Sequence, residues 1–142
     1  MSDTASVIAQ IESGDNPQAM RFEPLVYANA AGAALGAKIA KIHGCSGRTA
    51  EMIYATSWGA YQIMGITLYD LGYAKTVFDF VAAPNDQRAM FDAFCASRGI
   101  AFTIDQLRDS EALRLRFATK YNGPGNITDY AARIAAEITR QL

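Results

Sequence analysis

Hydrophobic positions recur at helical spacing along most of the chain. Val7, Ile8 and Ile11 share a face in a helix that starts near Thr4 and stops at Gly14. Asn16-Pro17 marks a turn, and Phe22-Glu23-Pro24 an extended or turn segment. An Ala-rich helix is expected from about Ala28 to Ile42, ending at His43-Gly44, and a further helical stretch follows Gly47 to Met52 and breaks at Ser57-Trp58-Gly59. Tyr61 to Met64 reads as a short buried turn of helix. Thr76 caps a helix through Val77, Phe80 and Val81, and another runs from about Asn85 to Arg98 with Met90, Phe91, Phe94 and Cys95 inward and Gly99 as terminator. Thr103 and Ser110 cap two more, the second reaching Lys120. Tyr121 to Asn126 is expected to be a loop, because Gly123-Pro124-Gly125 cannot continue a helix. Thr128 caps the last helix, whose Ile134 and Ile138 face the core. No strand hairpin is evident, so the fold class is mostly α, with at most a small β ribbon near residues 15–27.

Composition narrows the range of functions. The 142 residues fit one domain, and 51% hydrophobic against 19% charged residues is enough to build a core. A formal net charge of −1 gives no electrostatic reason to bind nucleic acid or an anionic membrane. No apolar run of about 20 residues exists, so no stable membrane insertion is expected. The helix holding Gly32, Gly36, Lys38 and Lys41 reads as close-packed and internal, with its lysines in solvent, rather than as membrane-active. The start, Met1-Ser2-Asp3-Thr4, lacks a basic region followed by an apolar run, so synthesis without a secretory signal is expected. Cys45 and Cys95 have no metal or redox spacing and read as free thiols. His43 is the single histidine, which excludes histidine-based metal clusters and leaves it a helix-end role. No metal or cofactor is called for.

Candidate chemistry concentrates in four segments: Ile11-Glu12-Ser13-Gly14, Arg21-Phe22-Glu23-Pro24, Ser57-Trp58-Gly59-Ala60-Tyr61-Gln62-Ile63-Met64-Gly65 and Tyr121-Asn122-Gly123-Pro124-Gly125. Glu12 stands at a helix C-terminus, where partly negative carbonyls and apolar neighbours both disfavour the ionised carboxyl. Standing alone it would read as a solvent-facing glutamate. Gln62, Asn122 and Ser57 supply amides and a hydroxyl, while Tyr61, Trp58 and Tyr121 supply flat apolar faces with a polar tip. A lone tryptophan in a helical domain is nevertheless more often core.

In this order, the four segments resemble the lysozyme-like superfamily, and among its members the N-acetylmuramidase family of phage endolysins. The similarity runs from about Ile8 to Tyr130. The resemblance implies a lysozyme-like helical domain that hydrolyses the β-1,4 bond between N-acetylmuramic acid and N-acetylglucosamine in bacterial peptidoglycan. Glu12 would be the general acid that protonates the departing glycosidic oxygen. Ser57, Tyr61, Gln62, Tyr121 and Asn122 would bind saccharide or hold the acid. Glu23 is the leading second carboxylate, with a purely structural pairing to Arg21 as the alternative, and Asp15 a weaker candidate. Leu25 stands where related chains often carry a histidine. The implied protein is a monomer, made in the cytoplasm of a bacterial host and acting on the wall after release. Two other readings remain open at this level: a lytic transglycosylase, in which the sugar's own hydroxyl replaces water, and a non-catalytic wall-binding or phage tail module.

Overall fold

The computed structural model describes residues 3–28 and 34–142, and ten helices and three short strands lie among them. Helix α1 (Thr4–Ser13) starts and stops where expected: the Asp3 carboxylate accepts the Ser6 N–H at 2.9 Å, and Gly14 closes the helix at φ 65°. Val7 and Ile8 of α1 are fully buried.

Strand β1 (Met20–Phe22) lies inside the expected ribbon, but its partners are remote in sequence. It pairs antiparallel with β2 (Thr56–Trp58), Arg21 opposite Ser57, and β2 pairs with β3 (Ile63–Met64), Ser57 opposite Met64. The expected helical turn at Tyr61 to Met64 is therefore the return of a hairpin. Its tip needs left-handed backbone at Gly59 (φ 79°) and Gln62 (φ 51°), which no helix accommodates.

Helix α2 (Pro24–Ala28) places Pro24 at a helix start, where its missing N–H costs nothing. Helix α3 (Ala34–His43) is the second part of the expected Ala-rich helix, and residues 29–33, with Gly32, lie outside the described residues. Its Gly36 and Ile39 are buried, and Lys38 reaches the Tyr69 carbonyl at 3.3 Å. Among the described residues no helix is long and apolar enough to cross a membrane.

Helix α4 (Gly47–Tyr54), capped by Ser46, leads into β2, and α5 (Gly65–Asp70) follows β3 directly. Gly65 is required there: a Cβ on it would stand 2.1 Å from the Ile53 carbonyl oxygen. Helices α6 (Val77–Val81) and α8 (Ile104–Asp109) start with capping boxes at Thr76 and Thr103. Between them, α7 (Pro84–Ser97) buries Phe91, Phe94 and Cys95 and leaves Met90 partly covered.

Helix α9 (Glu111–Asn122) starts at its Ser110 cap and runs two residues past the expected stop. Tyr121 continues it because its ring stacks on Phe117 one turn earlier, centroids 5.2 Å apart; the helix ends at Gly123. The last helix, α10 (Ile127–Gln141), takes Asn126, not Thr128, as its first cap residue. It buries Tyr130, Ile134 and Ile138 against α9, α1 and α8.

Trp58 belongs to the core, 7% exposed, with its indole N–H on the Ile53 carbonyl at 3.2 Å. His43 ends α3, its Nδ1 2.8 Å from the Ile39 carbonyl and its Nε2 accepting the Val77 N–H at 3.0 Å. Both cysteines are free, and burial pushes the Cys95 thiol up to about 12, so it stays protonated and inert.

Candidate active site

The α1–α10 contact surrounds one ionisable side chain. Glu12, in the last turn of α1, is largely covered, and its Oε1 accepts a hydrogen bond from the Tyr130 hydroxyl of α10. Arg133, one turn further along α10, donates to the Ile11 carbonyl at 3.0 Å. Burial is the dominant influence on Glu12 and raises its pKa; the Tyr130 hydrogen bond and the charges of Arg133 and Arg21 oppose it without cancelling it. Burial and the Glu12 carboxylate in turn push the Tyr130 hydroxyl far above the ordinary tyrosine range, so it stays a donor.

Glu12 opens into a cleft of about 360 Å³. Arg21, Glu23 and Val26 form one rim; Ser57, Gln62 and Met64 of the hairpin form the floor; Tyr121 and Asn122 form the other rim. The end of α1, the small sheet and the end of α9 thus converge on a single groove.

Each sequence candidate has a definite place. Ser57 is 7% exposed and its hydroxyl points to the Met64 sulfur at 2.9 Å. Gln62 uses one amide N–H on the Gly59 carbonyl at 3.0 Å, leaving its amide oxygen and second N–H for a ligand. Tyr121 is held on three sides by Phe91, Phe94 and Phe117, and its hydroxyl donates to the Tyr61 carbonyl at 2.6 Å. Asn122 donates to the Gly125 carbonyl at 3.3 Å.

Tyr61 departs from its expected role as a saccharide platform. Its ring stacks on Phe91, centroids 4.6 Å apart, and does not line the cleft; the left-handed turn at Gln62 sends the two neighbouring side chains to different faces. Its contribution to the groove is the backbone carbonyl that fixes Tyr121. Glu23 lines the cleft, yet its carboxylate is also paired with Arg21 at 3.2 Å. Asp15 is exposed beyond the end of α1 and is not part of the cleft wall.

The comparisons with known proteins agree with this geometry. A model of the N-acetylmuramidase family matches residues 36–141. The chain belongs to the N-acetylmuramidase family. It is similar to an endolysin of Enterobacteria phage PRD1, 35% identical over an alignment of 130 residues that covers 87% of each chain. No solved structure matches it. The protein is accordingly a peptidoglycan-degrading glycoside hydrolase with a mostly α, lysozyme-like fold.

The family match includes the hairpin floor and the Tyr121-Asn122 rim of this muramidase, while Glu12 and Glu23 precede it. What ties Glu12 to the matched part is Tyr130, 118 residues away, which sequence reasoning overlooked along with Arg133. The spacing of Tyr130 and Arg133, both on the α1-facing side of α10, was visible as a helical stripe. Nothing local to that stripe pointed to a carboxyl at the other end of the chain.

Proposed function

We propose that Glu12 is the general acid with which this muramidase breaks the β-1,4 bond between N-acetylmuramic acid and N-acetylglucosamine. The observation that carries the reading is the covered Glu12 carboxyl, its pKa raised by burial, facing a groove floored by Gln62 and Ser57. In this mechanism burial makes Glu12 readier than a surface carboxyl to hold a proton until a glycosidic oxygen is in reach. The proton passes to that oxygen, the C1–O bond breaks, and positive charge develops on the sugar ring. The carboxylate left behind accepts the Tyr130 hydrogen bond and is stabilised by the positive charges of Arg133 and Arg21. These contacts strengthen as the negative charge forms, so they favour the transition state over the bound ground state.

Glu23, which lines the same groove and is held by Arg21, orients the attacking water or balances the charge on the ring. Gln62, Ser57, Tyr121 and Asn122 bind the saccharide, and Tyr61 acts through its carbonyl. The likeness to a phage endolysin supports a role in opening the wall of a bacterial host. The test is Glu12→Gln on purified peptidoglycan. Release of new reducing ends should fall about 10²–10⁴-fold with the fold retained. Wild-type rates in that variant would remove Glu12 from the mechanism, and anhydro ends among the wild-type products would replace water by internal attack.

A further inference from the structure

A second hollow, of about 320 Å³, adjoins the cleft between the end of α1 and the first turns of α10. Glu12, Arg21 and Asn122 form the shared wall, and Asn126, Asp129 and Arg133 line the far side. Its chemistry differs from the cleft's. No flat aromatic face is on offer, because the Tyr130 ring is only 3% exposed. A sugar ring therefore finds nothing to stack on.

The polar groups there are charged and only partly engaged. Arg21 is paired with Glu23, but Arg133 makes no salt bridge among the described residues and uses one N–H on the Ile11 carbonyl. A guanidinium carries five N–H donors, so Arg133 keeps a fork for a carboxylate. Asn126, in the left-handed region at φ 56°, makes no capping bond with its side chain. Asp129 offers an opposite charge within the same hollow. With a net charge of only −1, the protein gains its grip on a charged substrate locally or not at all.

We infer that this hollow receives the peptide stem of the wall strand, with Arg133 binding a stem carboxylate and Asn126 a stem amide, while the glycan lies in the cleft. This rests on the muramidase reading of Glu12. It makes the enzyme selective for peptide-bearing muramic acid over naked glycan, through a site one side chain away from the acid.

The experiment compares glycan strands of matched length with and without their peptides, the latter prepared with an amidase. The wild type should show a kcat/KM roughly ten-fold higher on peptide-bearing strands, the size expected for one charge-assisted contact. Arg133→Gln should bring that ratio close to one. Any change in the acid strength of Glu12 affects both substrates equally and cancels in the ratio. Asn126→Asp provides a second variant, since aspartate tolerates the left-handed conformation and no structural bond is lost. Its added carboxylate should repel the stem and lower the ratio as well. A wild-type ratio near one, or a ratio unchanged in both variants, overturns the assignment of the hollow while leaving the muramidase reading intact. Absence of cleavage of either strand by the wild type defeats that reading, and the inference with it.

Discussion

Replacing Gln87 by methionine keeps the length of the side chain and removes every polar atom it offers. Gln87 is completely buried in α7. Its Oε1 accepts the Ala60 N–H at 2.8 Å, and its Nε2 donates to the Phe80 and Pro17 carbonyls, both at 2.9 Å. One side chain thus ties the hairpin tip, the turn after α1 and the end of α6 to a single helix. In the variant the Ala60 N–H is stranded in the interior at a cost of about 1–3 kcal/mol, while the Phe80 carbonyl keeps the Ala83 N–H at 3.1 Å. The Pro17 carbonyl is only partly covered and can turn to water, so it adds little. The expected loss is about 1–3 kcal/mol, from a total stability of about 5–15 kcal/mol for a domain of this kind. Urea unfolding measures it as a lower midpoint at unchanged slope. KM should rise more than kcat falls, because the loosened tip carries Gln62 and not Glu12. Gly59→Ala offers a cross-check: its Cβ would stand 2.6 Å from the Gln87 Oε1, so the two changes should combine non-additively. A loss under about 1 kcal/mol in Gln87→Met would refute the claim that these bonds anchor the hairpin.

Three further expectations follow from the same contacts. Glu12 has a raised pKa, so its contribution to stability is present below the unfolded carboxyl range and is lost as pH rises through the folded value; Glu12→Gln should therefore melt at an equal or higher temperature than wild type at pH 8. Tyr130→Phe removes a hydrogen bond that favours ionised Glu12, so the alkaline limb of the kcat profile should move to higher pH. Gly65→Ala should lower stability by about 1–3 kcal/mol in thermal unfolding, because its Cβ meets the backbone oxygen of Ile53 and not a flexible side chain.

The helices were legible because their signals are local. Thr76, Thr103 and Ser110 each sit three residues before the amide they cap, and Gly14 and Gly99 take the positive φ that ends a helix. The sheet was not, since strands of two or three residues carry no period, and Arg21 meets Ser57 only after the intervening helices have folded back. Tyr121 was expected in a loop because the Gly-Pro-Gly after it dominated the reading; the Phe117 stack that keeps it helical is a packing effect. In the site, the motif residues Glu12, Gln62, Ser57, Tyr121 and Asn122 line one cleft, as the resemblance implied. Tyr61 does not, because a motif names a residue without fixing the direction of its ring.

The surroundings of Glu12 are contributed by two helices from opposite ends of the chain, α1 and α10. During synthesis on a ribosome, Glu12 emerges early, but its covering partners Tyr130 and Arg133 arrive only with the final helix. Without α10 the carboxyl loses cover that raises its pKa, which moves it back toward the ordinary glutamate range. On the proposed role of Glu12, a polypeptide still lacking α10 is expected to cleave glycan poorly, since the acid's surroundings are complete only when that helix docks.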